Sequence, residues 1–221
     1  MTADSLGPTP VYEFADRAWD EFLEHAPVAA TVQGDDRWLD RLDDPSAEGR
    51  ASFMAFVERW AERIEELDDD GLDTEDVVTL GLMRAVVARF RGADELELWQ
   101  MEGLDQLNGP QTLPGELARF HRTDTPARFE ALLARLAAYP GWMAAHRANL
   151  AEGLAAGRTA PTEVVQRCLE QTRRMVDTPA AQSPLMVANT ELPEEQRAAL
   201  LAAVEEHVQP ALIEWLAMLE D

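Results

Sequence analysis

Apolar residues recur every three or four positions along nearly the whole chain, a spacing that admits amphipathic helices and little else. Phe53, Phe56, Val57, Trp60, Ile64 and Leu67 form one such stripe, with Glu58, Arg59, Glu62 and Arg63 on the other faces. The helix they predict begins at Asp44-Pro45, where Asp caps free amides and Pro fits the first turn, and ends in the run Asp68-Asp69-Asp70-Gly71. The next starts near Asp73, turns Val77, Leu80, Val87 and Phe90 inward and stops at Gly92. Ahead of both, residues 10–25 carry Phe14, Trp19, Phe22 and Leu23 inward, and Pro27 closes that helix. The stretch VAATVQGDDRWLDRL is too broken for one long helix. Further helices are expected at about 125–138, 140–156, 161–177 and 194–220, divided by Tyr139-Pro140, Gly157 and a Pro/Ser/Ala-rich loop at 178–186.

Strands are not indicated. The one alternating run, Glu95-Leu96-Glu97-Leu98-Trp99, is too short to build a sheet, and no repeat of solenoid period is present. The expected fold class is all-α, a multi-helix orthogonal or antiparallel bundle in a single domain over 1–221. Within it, 1–9 is a flexible terminus, 10–92 a first helical group, 93–114 an irregular connection and 115–221 a second group. A chain of this length, 46% hydrophobic, buries roughly 70% of the surface its unfolded form exposes.

Charge narrows the partners. The 42 acidic and 19 basic residues leave a net charge of -23, and every basic residue is arginine. Nucleic acid and anionic membranes are held by clustered positive charge, so neither is an expected partner. Cys168 is the only cysteine, which leaves no internal disulfide. The opening MTADSLGPTPVYEF has no basic or apolar run, and no later stretch reaches the roughly 18 apolar residues of a membrane span. A cytoplasmic location is the expectation.

Chemistry-bearing patterns are scarce. A zinc hydrolase built on a helix places two histidines one turn apart with a glutamate to activate water, but His25, His121, His146 and His207 are all more than four residues from one another. Each reads as a helix-end or surface histidine, and none has the Glu three residues before it that a di-iron bundle requires. Cys168, in the middle of the helix VVQRCLEQ, reads as a small core residue rather than a thiolate. Nucleophile-elbow, P-loop and dinucleotide-binding patterns do not occur. The loop EGLDQLNGPQTLP combines bulky apolar residues with Gly109 and Pro110, which would hold the amides of Asn108 and Gln111 at a cleft mouth as candidate substrate contacts. The alternative is that both amides satisfy local backbone groups.

Three stretches resemble the bacterial proteins grouped as domain-of-unknown-function family 885. The first opens with an amphipathic helix and continues through the turn Pro27, Ala30, Thr31 and Gly34. The second joins the turn Gly109-Pro110-Gln111 to the Arg135-Leu136 helix with Pro140, ending at Gly153 to Gly157. The third is the run Leu192 to Leu219. The resemblance implies a helical amino-terminal half forming one wall and lid of a substrate cleft. In longer members a later half carries an H-E-x-x-H zinc site of a peptidase, so zinc is expected there and no cofactor or catalytic residue in this chain. A carboxy-terminal catalytic half, a second copy of the chain or a peptide are the partners implied, and a free-standing acidic binding protein is the alternative. Leu200, Leu201, Val204, Val208, Leu212, Ile213, Trp215, Leu216 and Leu219 make the final helix wider in apolar residues than one core contact uses, so some should be exposed or covered by a second copy.

Overall fold

The computed structural model describes residues 9–68 and 70–221, so the expected flexible terminus short of Thr9, and Asp69 of the acidic run, lie outside the described residues. Its α-helices are α1 (Pro10–His25), α2 (Pro27–Val32), α3 (Ala47–Glu65), α4 (Thr74–Glu95), α5 (Leu113–Phe120), α6 (Pro126–Ala155), α7 (Thr162–Asp177), α8 (Pro184–Ala188), α9 (Glu194–Ala203) and α10 (Gln209–Glu220). No strand occurs among the described residues, and the fold is all-α. The helices form two compact units: the described residues through His25 with Ala47–Glu97, and Ala26–Ser46 with Leu98–Asp221.

In the first unit, Thr9 accepts the amide of Tyr12 at 3.1 Å and donates to Asp76 Oδ1 at 2.6 Å, so one hydroxyl starts α1 and ties it to the first turn of α4. Asp73 caps α4 by accepting from the amide of Asp76 at 2.9 Å, as its place ahead of the stripe predicts. Val11, Phe14, Phe56, Val57, Ile64, Leu80, Met83 and Val87 fill the core, and Phe53 and Phe90 meet edge to face with centroids 4.9 Å apart at its rim. Two inward assignments and two helix boundaries need correction. Trp19 is 47% exposed, stacked on Phe22 from outside, and Val77 is 55% exposed because it lies about 100° round the helix from Asp76. α3 starts at Ala47, after a turn in which Asp44 accepts the amide of Ser46, and α4 runs through Gly92 to Glu95. A mid-helix glycine costs about 1 kcal/mol and does not by itself end a helix.

The second unit is organised around α6, a 30-residue helix that passes through the expected break at Pro140. Proline removes one backbone hydrogen bond there, but Leu136, Tyr139 and Met143 are all buried on the same face, and that packing carries the helix across. The expected loop at 178–186 holds a 3-10 turn at Ala180–Gln182 and the start of α8, and 93–114 contains single 3-10 turns at Leu98–Gln100 and Pro110–Thr112. From Glu194 to Glu220 the chain stays helical, with a π turn at Val204–Val208 between α9 and α10. In a regular helix each four-residue step overshoots a turn by about 40°. The wider π turn cancels that drift and keeps Leu200, Val204, Val208, Leu212 and Trp215 on one buried line. Of the nine apolar side chains singled out in this segment, Ile213 alone is exposed.

Two glycines of α6 test this packing in opposite directions. A Cβ on Gly153 would meet the Gln100 carbonyl oxygen at 2.5 Å, whereas one on Gly141 meets nothing within 4 Å. Gly141→Ala should raise stability by about 0.5–1 kcal/mol through helix propensity. Gly153→Ala should lower it by roughly 1–3 kcal/mol despite the same propensity gain. Urea denaturation of both variants checks the pair.

Candidate functional site

The turn at residues 27–41 builds its geometry from very few residues. Pro27 opens α2, Ala30 is fully buried, Thr31 returns its hydroxyl to the Pro27 carbonyl at 3.0 Å, and Gly34 takes φ +83° to end the helix. The chain then doubles back so that the carbonyls of Pro27, Trp38 and Arg41 converge. Arg135 of α6, with no exposed surface, donates to all three: Nη2 to Pro27 at 3.0 Å and to Trp38 at 3.1 Å, and Nε to Arg41 at 2.7 Å. Its Nη1 lies 3.3 Å from Nδ1 of His121.

Those partners fix the state of His121. Its Nε2 is 2.8 Å from the Arg128 carbonyl, which can only accept, so Nε2 carries the proton and Nδ1 accepts from the guanidinium. Burial pushes its pKa down and keeps the ring neutral. His121 caps the end of α5, as a helix-end histidine should, but it is buried rather than on the surface. Asp43 accepts the amide of Val28 at 3.1 Å, holding the start of α2. Burial raises its pKa, opposed by that hydrogen bond and by the charge of Arg135. Arg135 is lowered by burial to about 10, against the attraction of Asp43 and Asp40, and remains a cation at neutral pH. The sequence signal for this centre is an arginine at the 3-4 spacing of an inward stripe, between Leu132 and Tyr139, where charged residues are rarely placed without partners.

Beside this centre, still within the second unit, lies an open concavity of about 690 Å³. Asp36, Asp40 and Glu130 stand around it with Thr125, over a floor that includes Leu39 and Ala131. Arg128 at its edge is neutralised by Asp36 and Asp124. The excess of carboxylates suits an amine or another cation.

Asn108 and Gln111 converge on one residue, Asp105. Asn108 is exposed and donates to the Asp105 carboxylate at 3.2 Å, while Gln111 is buried and donates to its carbonyl at 2.8 Å and to Gln171 Oε1 at 3.0 Å. Gly109 is needed between them because a Cβ there would lie 2.2 Å from the Asp105 carbonyl oxygen. Tyr139 donates to the Pro110 carbonyl at 3.0 Å and anchors the turn on α6. Cys168 is fully buried beneath it, with burial raising its pKa, a core thiol as its helical setting implies.

The remaining histidines stand apart from these groups. His25 ends α1 against Phe53 and Phe56, and His207 sits in the π turn. His146 lies in mid-α6, neither at a helix end nor on the open surface, with its ring 4.5 Å from that of Trp142 and its Nε2 buried without a hydrogen-bond partner among the described residues. No group of three or more His, Cys, Asp or Glu among those residues is arranged to hold a metal.

Two measurements probe these groups. Arg135→Met strips donors from three carbonyls and a cation from beside Asp43, and should cost about 3–5 kcal/mol in urea denaturation. Arg135→Lys, unable to span the same fan of acceptors, should recover less than half of that loss. His146 has its pKa lowered by burial to about 4 from an ordinary 6.5. The unfolded chain therefore binds the proton first on acidification. The stabilisation is complete above pH 6.5, declines as pH falls through that window and is gone at about 4. Between pH 7 and 4.5 the wild type should lose about 2 kcal/mol, or roughly 4–8 °C of melting temperature, more than His146→Phe does.

Among curated proteins none matches this chain. Two solved structures share its fold. One is a candidate lipoprotein of unknown function from Shewanella oneidensis, with TM-score 0.71 and 18% identity, covering 96% of this chain and 37% of the larger protein. The other is a candidate lipoprotein from Colwellia psychrerythraea, with TM-score 0.74 and 17% identity, covering 95% and 40%. The chain thus spans about two fifths of either neighbour's length. The model of bacterial proteins of unknown function called DUF885 matches residues 27–221, beginning at the proline that opens the Arg135-binding turn, and the chain belongs to that family.

Proposed function

We propose that the chain is a non-catalytic helical wall or lid beside the substrate cleft of a DUF885-type hydrolase of the metallopeptidase kind, with peptide as the substrate class. The observation that carries this reading is one of extent. Nearly all of this fold recurs in the solved neighbours, yet it accounts for only 37–40% of their length, which makes it one helical portion of a larger architecture. Its histidines fall on separate elements, so zinc of the H-E-x-x-H type belongs to the other portion of a longer member and no catalytic step is assigned to this one.

The concavity over α6 is the surface this portion would contribute. Asp36, Asp40 and Glu130 above an apolar floor favour the amino group of a peptide, and the buried Arg135 centre keeps the 35–40 edge rigid. Of the two amide residues, Asn108 is the one presented for contact, while Gln111 supports it from beneath. The runner-up is a free-standing acidic binding protein using the same concavity. A cytoplasmic address stays our reading, although both solved neighbours are described as candidate lipoproteins. No helix among the described residues is long and apolar enough to cross a membrane.

The coding region beyond the codon for Asp221 separates the two readings. An H-E-x-x-H helix encoded there supports the cleft wall, and a stop codon supports the free-standing protein. Short fluorescent peptides with a free amino terminus should bind more tightly than acetylated ones, and an Asp40→Asn, Glu130→Gln double variant should abolish the difference. Equal binding of both peptide forms sinks the concavity reading. Elemental analysis of the purified chain should find well under one zinc per chain, with no peptide hydrolysis. About one tightly held zinc per chain would falsify the non-catalytic assignment.

A further inference from the structure

The outer face of α4 is at odds with the rest of this acidic surface. From Val77 to Ala88 the helix has a single charged residue, Arg84, in a chain that is 28% charged. One side of it, Leu80, Met83 and Val87, is used by the core of the first unit. The opposite side, Val78, Leu82 and Ala85, is exposed, with Val78 and Leu82 each 64% accessible. A helix that is apolar on both faces is ordinarily covered on both.

The pattern on that outer face identifies the cover. Glu75, Val78, Leu82, Ala85 and Arg89 are all exposed and follow one another at steps of three, four, three and four. That is the heptad seam of a two-helix coiled coil, here with an acid at one end and a base at the other. Side by side in the same direction, two copies would set Glu75 against Glu75 and Arg89 against Arg89. Run in opposite directions about a two-fold axis at Leu82, the layers are complementary: Glu75 faces the partner's Arg89, Leu82 its own copy, and Val78 lies within one residue's rise of the smaller Ala85. Gly81 beside the axis presents no side chain to hold the second helix off, and nothing lies within 4 Å of where its Cβ would be. We infer that α4 is a self-association surface, through which a second copy of this chain packs antiparallel on the Glu75–Arg89 seam.

Two features set the strength. One seam of five layers buries on the order of 800 Å² in total, below the ~1,200 Å² of stable complexes, so the association is weak and reversible. The net charge of -23 on each copy opposes it at low salt. At 0.15 M salt the screening length is about 8 Å, which damps that repulsion more than it damps a contact pair such as Glu75 with Arg89.

Sedimentation equilibrium of the whole chain at that salt, up to about 500 µM, should show a monomer–dimer equilibrium. Leu82→Glu should weaken it at least tenfold. Glu75→Arg and Arg89→Glu should each weaken it several-fold alone, because each sets like charges opposite one another. An equimolar mixture of the two single variants, and the double variant Glu75→Arg/Arg89→Glu, should both restore the wild-type level. All these positions are exposed, and an unchanged far-ultraviolet circular dichroism spectrum verifies that each variant is folded. A wild type that stays monomeric throughout, a Leu82→Glu protein as dimeric as wild type, or single charge variants that fail to complement on mixing would each overturn the inference.

Discussion

A guanidinium shut away from water must be surrounded by acceptors, and Arg135 imposes that demand on the second unit. Its bonds go to backbone carbonyls of a segment roughly a hundred residues earlier in the chain, with separations of 94, 97 and 108 positions. Carbonyls converge in this way only if the backbone bends sharply, which is the role of Pro27, Thr31 and Gly34. The turn and the arginine are therefore one device. His121 completes it by presenting a bare nitrogen, and Asp43 offsets part of the cost of burying a positive charge.

With that centre in place, the rest of the unit is governed by how much backbone irregularity α6 and the carboxy-terminal helix absorb. α6 tolerates Pro140 because buried side chains on both sides of it hold the helix on course, and it needs Gly153 because the Gln100 backbone comes too close for any side chain. The π turn at Val204–Val208 re-aims the final helix so that Trp215 stays in line with Leu200. Gly153 sits where two elements approach closely, and the π turn where the last helix packs on α6.

What the sequence disclosed follows from this division. The stripe from Phe53 to Leu67, the cap at Asp73 and the extent of α1 and α7 were legible, because periodicity and capping are local properties. Val77 and Trp19 were misassigned since a stripe has soft edges, and the residue just beyond the buried arc looks the same in sequence as the one just inside it. Tyr139-Pro140 read as a break because proline's effect on an isolated helix is local, whereas the packing that overrides it is not. Arg135 was read only as part of a resemblance, although its place on an inward stripe marks it as unusual; its role depends on carbonyls whose positions no side-chain pattern records. The sequence reading set both amides of the 108–111 turn at a cleft mouth; in the structure both bond to Asp105, and that Asn108 faces outward and Gln111 inward depends on Gly109 and on Tyr139 beneath the turn.

The interleaving of the two units along the chain has a consequence for biosynthesis. Residues 26–46 leave the ribosome early, yet the arginine that organises them is made only after α3 and α4 are complete. The first unit has all its own helices by Glu97 and can condense at once, while the segment between its first two helices waits as an unfilled set of carbonyls. Its closure is a long-range event that comes last, and nascent chains stalled between α4 and α6 would hold one finished unit and one open loop.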